Sequence, residues 1–128
     1  WKLANKEFFL EVMRVIMRDE NVLLRTKMRV LSVAAVAPLM ARVIEQGVRE
    51  GVFAVDNAAD IAEMLLEMGQ SLSRVTTDLL LATPYDAAAY DVFMRKVDAY
   101  ERSIERVLGA PPGSLPVMPR EQIRVWLE

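Results

Sequence analysis

Glu63 and Glu67 stand four residues apart, a spacing that puts two carboxylates on one helical face, and paired carboxylates are the simplest kit for general acid–base work. On a helix such a pair ordinarily faces solvent, and the chain supplies little else that could complete a reaction centre. It contains no His and no Cys. That removes imidazole bases, thiolate nucleophiles, disulfides, zinc sets and the Glu-x-x-His di-metal sites of helical bundles. The residues therefore read as those of a protein that is not an enzyme and carries no cofactor.

What the residue types favour is binding. Met occurs eight times in 128 residues, and Met13, Met17, Met28, Met40, Met64 and Met68 fall on apolar faces. The unbranched, polarisable thioether suits either gap-filling in a core or the wall of a cavity that accepts varied apolar ligands. Phe9, Met13, Met17, Met40, Val43, Met64 and Met68 are the candidate lining of such a cavity. Ser71, helped by Gln70 and Thr77, would orient the ligand. Arg74 interrupts a mostly uncharged stretch from Met68 to Thr77. It suits a ligand or partner carboxylate, or else lays its stem on the bundle with its head in water. Asp91, Arg95, Asp98 and Arg102 recur at 4,3,4 spacing and read as a solvated, salt-bridged face.

A chain of 128 residues is one domain, long enough to bury about two-thirds of its surface without metal or disulfide. Apolar residues at 53%, charged residues at 27% and only 5 Gly and 6 Pro rule out disorder and collagen-like repeats. Sixteen basic against 18 acidic residues give a charge of −2, which speaks against gripping phosphate backbones unaided. The longest apolar stretch, Val30 to Ala41, spans 12 residues where a membrane helix needs about 20. It reads as a buried helix. No membrane association and no export signal are expected, and the cytoplasm is the expected location. Trp1 opens the chain without an initiator Met, as if in mid-helix, so an N-terminal portion is expected to be missing.

Periodicity and punctuation predict four helical segments. The first runs from about Lys2 to Arg18, with Phe9, Val12, Met13, Ile16 and Met17 on one stripe. Asp19 is the expected N-cap of a second, from about Glu20 to Glu50. Pro38 either divides this segment or kinks it, and Gly51 closes it in a left-handed conformation. Asn57 and Asp60 have the spacing of a capping box for the third helix, which continues to about Ala82. Thr83, Pro84 and Asp86 start the fourth, which ends at Leu108 before Gly109. Residues 110–128 form a Pro-rich tail with a short helix from Arg120, whose Ile123, Trp126 and Leu127 should dock on the bundle or a neighbouring subunit. No strand pattern is present, and the fold class is all-α, an antiparallel helical bundle over residues 1–109.

The third and fourth helices carry matching heptad seams. One holds Ile61, Leu65, Met68, Leu72, Val75 and Leu79, and the other Tyr90, Phe93, Val97, Tyr100, Ile104 and Val107. A link as short as Thr83 to Asp86 makes the two helices antiparallel neighbours. Ala62, Gly69, Ser73 and Thr76 form a row of small residues beside the first seam, where another helix can approach closely. Both seams can serve one intramolecular core, or two copies can pair through them as a four-helix bundle.

The run Leu39-Met40-Ala41-Arg42-Val43-Ile44-Glu45-Gln46-Gly47-Val48-Arg49-Glu50-Gly51-Val52-Phe53, then Asp56 to Glu63 and a Leu-rich helix, resembles the C-terminal domain of tetracycline-repressor (TetR) family transcriptional regulators. The resemblance covers residues 1–108 and marks a helix end and a helix start rather than a chemistry. It implies a ligand-sensing, homodimerising domain. Its last two long helices would form the dimer's four-helix bundle through Leu72, Val75, Leu79, Phe93, Val97, Tyr100 and Ile104. It further implies a small apolar effector held by the preceding helices, and DNA contacted only through an N-terminal helix-turn-helix absent from this chain. A ligand-free helical adaptor that binds a protein partner is the alternative. The tail beyond Gly109 departs from the family's usual ending.

Overall fold

The computed structural model describes residues 5–82, 87–121 and 123. Among them are four α-helices, α1 (Lys6–Met17), α2 (Val22–Arg49), α3 (Ala58–Leu81) and α4 (Ala87–Leu108), and no strand. The fold is an all-α bundle. Among the described residues no helix is long and apolar enough to cross a membrane. The predicted starts at Lys2 and at Thr83, Pro84 and Asp86 lie outside the described residues, as do Trp126 and Leu127.

Local chemistry explains most boundaries. Asn57 caps α3, its side chain accepting from the Asp60 amide at 3.2 Å. The reciprocal arm of the box differs from the usual one: the Asp60 carboxylate is too short to reach back to the Asn57 amide and takes the Asn57 side-chain NH₂ instead. Two helices end in the same 6→1 and 5→2 closure. At the end of α2, Val52 donates to the Gly47 carbonyl at 2.8 Å and Gly51 to Val48 at 3.1 Å. At the end of α4, Ala110 donates to Glu105 at 2.8 Å and Gly109 to Arg106 at 3.3 Å. Gly51 and Gly109 take positive φ, 72° and 67°, where a side chain would be strained.

Two expectations at the start and middle of α2 change. Asp19 does not cap it. Residues Asp19–Asn21 form a 3-10 turn, and Asn21 precedes the helix without a side-chain cap, its side-chain Nδ2 donating back to the Val15 carbonyl at 2.7 Å. Pro38 does not divide the segment either. α2 runs through it as one helix, and since Ala34 and Pro38 are both exposed, water can satisfy the Ala34 carbonyl that loses its donor.

The core has two parts. Ala41 and Ile44 of α2 pack with Ala62 and Leu65 of α3 and Ile104 and Leu108 of α4, covered by Phe53 and Val55 from the α2–α3 connection. Gly47 is buried because the Phe53 ring lies where a Cβ would stand, 2.2 Å from the nearest ring carbon. The second part joins Leu72 and Leu79 of α3, Phe93 and Val97 of α4, and Ile123 of the tail. The Val30–Ala41 stretch is not the buried helix its composition predicts: Leu31 is 69% and Leu39 54% exposed, and Ala37 and Ala41 are its only buried members. α3, the short α1 and, towards its C-terminal end, α4 and Phe53 pack on one side of α2, while Leu23, Val30, Leu31, Leu39 and Val43 stay exposed, so among the described residues much of α2 is underpacked.

Candidate functional site

The same underpacking leaves two adjoining cavities beside α3. The first, of about 710 Å³, lies between α1, the N-terminal half of α2 and the C-terminal half of α3. Met13, Ile16 and Met17 give it an apolar wall from α1, and Met28 adds to this from α2. Its polar groups are Arg25, Thr26, Arg29 and Ser32 from α2 and Gln70, Ser71, Arg74 and Thr77 from α3. The second, of about 580 Å³, lies between α1, α3, α4 and the tail. Phe9, Leu72, Leu80 and Phe93 line it, with Val117, Met118 and Ile123 of the tail as its cover. Met13, Ser73 and Thr77 border both.

The geometry of the charged groups separates these walls. Arg29 pairs with Glu67 at 2.8 Å, a bond between α2 and α3 that takes Glu67 out of any acid–base pair with Glu63. Arg25 donates to the carbonyls of Ile16 and Arg18 at 2.9 and 2.6 Å and so closes the C-terminal end of α1 onto α2. Arg74 is exposed and has no ion pair or hydrogen bond among the described residues. Among the described residues no three acidic groups gather where a metal ion could be held.

Of the eight residues expected to hold a ligand, Phe9, Met13, Met17 and Ser71 line a cavity. The other four lie outside these two cavities. Met40 and Met68 pack half-buried against the first core cluster, while Val43 and Met64 are 63% and 64% exposed. On α2 the buried line is Ala37, Ala41, Ile44 and Gly47, and Val43 is one residue, about 100°, away from it. Missed from the sequence were Arg25, Arg29, Thr26 and Ser32. Their 4,3 spacing at Arg25, Arg29 and Ser32, with Thr26 beside Arg25, marks a polar stripe on the N-terminal half of α2, and that stripe was the available signal.

The residues expected at an exposed dimer seam are placed differently. Leu72, Leu79, Phe93, Val97 and Ile104 are buried within the single chain, and Val75 and Tyr100 are half-buried against the same cluster. Within the single chain these side chains pack in its own core, which is the intramolecular use that the heptads allow. In the row of small residues, Ala62 packs against Ala41 and Ile44 of α2 as well as against α4, whereas at Gly69 a side chain fills the space. The Tyr100 hydroxyl sits 3.1 Å from where a Gly69 Cβ would be and donates to the Leu65 carbonyl at 3.1 Å. The tail is strapped along α4: Leu115 N–H donates to the buried Glu105 carboxylate at 3.2 Å and Val117 N–H to Glu101 at 3.0 Å. Arg120 pairs with Asp98, so Asp98 serves the tail rather than the solvated face expected of it.

Burial pushes the Tyr100 phenol above its ordinary pKa. The folded state therefore holds this proton at a pH where the unfolded chain has released it. The linked stability is complete below about pH 10, the ordinary phenol value, and falls as pH rises from there through the folded pKa. Chemical denaturation of wild type and Tyr100→Phe between pH 8 and pH 11 should show a shallower alkaline decline in the variant. Parallel declines would mean the phenol does not titrate differently on folding.

No family model, no curated protein and no solved structure matches the chain. Functional inference therefore rests on the cavities, the exposed surface and the sequence motif.

Proposed function

We propose that this chain is the ligand-sensing and homodimerisation domain of a TetR-like transcriptional regulator of bacterial type, acting in the cytoplasm and without enzymatic activity. The observation that carries the reading is the pair of cavities sharing Met13, Ser73 and Thr77. Their volumes lie within the roughly 300–1,000 Å³ usual for small-molecule sites; α1 and α3 border both clefts, with α2 on the first and α4 and the tail on the second, and the motif resemblance implies an effector pocket among the helices preceding the last two. A small, largely apolar effector seated there would bias how α1 and α2 sit on α3. DNA-reading heads joined N-terminal to α1 would then be held at one spacing in preference to another. DNA is contacted only through such a module.

Self-association has separate support. The chain exposes 8818 Å², against roughly 6,900 Å² for a folded monomer of its mass. The surplus of about 1,900 Å² exceeds the roughly 800 Å² per partner of a stable interface. Among the chain's exposed apolar side chains are Leu23, Val30, Leu31, Leu39 and Val43 on α2, Met64 on α3, and Val92 and Val107 on α4. The homodimer draws on these positions rather than on the seam residues held in the chain's own core. The same surface favours a second reading, a ligand-free adaptor whose α2 face receives a partner protein.

Light scattering and titration with the neutral probe N-phenyl-1-naphthylamine test both halves. The expected result is a mass near twice 14.5 kDa, with saturable probe binding that Met13→Trp abolishes while helicity is retained. A monomer that takes up no probe would leave the adaptor reading in place of the sensor.

A further inference from the structure

We infer that the two cavities form one amphipathic site for a medium-chain carboxylic acid, its carboxylate at Arg74 and its apolar chain directed towards Phe9 and Phe93. This rests on the ligand-sensing reading above and names the chemistry of the ligand. Charge is divided unevenly between the two walls. The first cavity is lined by Arg25, Arg29 and Arg74 and by no Asp or Glu. The second has no charged side chain among its lining residues. In a chain whose acids outnumber its bases, 18 to 16, an acid-free lining that holds three arginines sets this wall apart from the rest of the surface.

The three cations are not equivalent. The charge of Arg29 is met by Glu67 at 2.8 Å. Arg25 is held by the Ile16 and Arg18 carbonyls, which fix its position but bring no countercharge. Arg74 has neither an ion pair nor a hydrogen bond among the described residues. A carboxylate arriving there meets a free planar fork that can grip both its oxygens, with a second positive charge across the cavity. A neutral apolar ligand would strip water from Arg74 and return nothing, and a cation would be repelled. From Arg74 the path into the uncharged cavity crosses Ser73 and Thr77, which border both spaces. The Thr77 hydroxyl is already bonded to the Ser73 carbonyl at 3.0 Å, so an alkyl chain passing over it strands no donor.

Calorimetric titration of the whole chain with decanoate, decan-1-ol and butyrate tests this. Decanoate should bind wild type more tightly than either of the others. Arg74→Gln, at an exposed position with no partner to lose among the described residues, should weaken decanoate about tenfold or more and leave decan-1-ol unchanged, and Arg74→Lys should recover part of the loss. If decanoate and decan-1-ol bind alike and Arg74→Gln alters neither, the inference fails while an apolar effector site stands. If butyrate matches decanoate, the apolar chain has no seat and the inference fails. If neither ten-carbon compound binds, the inference and the ligand-sensing reading fall together.

Discussion

A chain ended at Gly109 is expected to melt at least about 10 °C below the full-length protein. The tail closes the second core part. Met118 packs against Leu72, Leu79, Phe93 and Val97, and Ile123, 8% exposed, is itself a member of that cluster. Fully burying an aliphatic side chain of this size contributes roughly 1.5–3 kcal/mol, so Ile123 supplies about that much and the half-buried Met118 a part of it again. Total stability for such a domain is only about 5–15 kcal/mol. Removal also takes the Leu115 N–H from Glu105, a carboxylate only 4% exposed. That group must then find water or another donor. Ile123→Ala separates apolar cover from strap and should cost about 2–5 kcal/mol by itself. Differential scanning calorimetry of the three proteins checks both steps. Equal melting temperatures would mean that the tail rests on the bundle without completing its core.

The tail also shows where sequence reasoning reaches and where it stops. Three apolar residues at helical spacing after a Pro-rich run are legible as something that must dock, because they are too apolar to be left in water. Where Ile123 docks is not legible, since nothing local in residues 110–128 refers to Leu72 or Phe93. Helix ends were readable for a similar reason. Gly51, Gly109 and the Asn57–Asp60 pair act within one turn, so neighbouring residues carry all the information. Asp19 misled because Asp, Glu and Asn in succession suit a 3-10 turn as well as a cap, and spacing does not separate the two. The candidate site was half legible. Met13 and Met17 lie on a stripe whose period marks the inward face of α1. Val43 is exposed because the buried line of α2 runs through the small residues Ala37, Ala41 and Gly47, which apolarity alone does not mark, and Met64 because it stands beside rather than on the α3 line of Ala62, Leu65 and Leu72. The heptads gave the period of α3 and α4 correctly but were silent on whose helix fills the seam, because knobs and holes look the same within one chain and between two.

That last ambiguity makes Val97→Asp decisive, and the expected result is a chain that does not fold. Val97 is fully buried, 0% exposed, between α3, α4 and the tail, beside Phe93, which is also 0% exposed. A carboxylate placed there loses its water, and no described member of that cluster carries a positive charge. The penalty for an unpaired buried ion is several kcal/mol after relaxation, and the lost packing of the valine adds to it. Together these approach the whole stability of a domain this size. Ala99→Asp, two residues further along and exposed, should cost less than about 1 kcal/mol, mostly helix propensity. It controls for the charge and for the helix. Circular dichroism and light scattering read together distinguish the two uses of the seam. If Val97 served an interface between copies, Val97→Asp would yield a helical, cooperatively melting monomer, because breaking the interface would leave each chain's own core intact. Loss of helicity at 25 °C, with Ala99→Asp still folded, is the outcome that the intramolecular core requires.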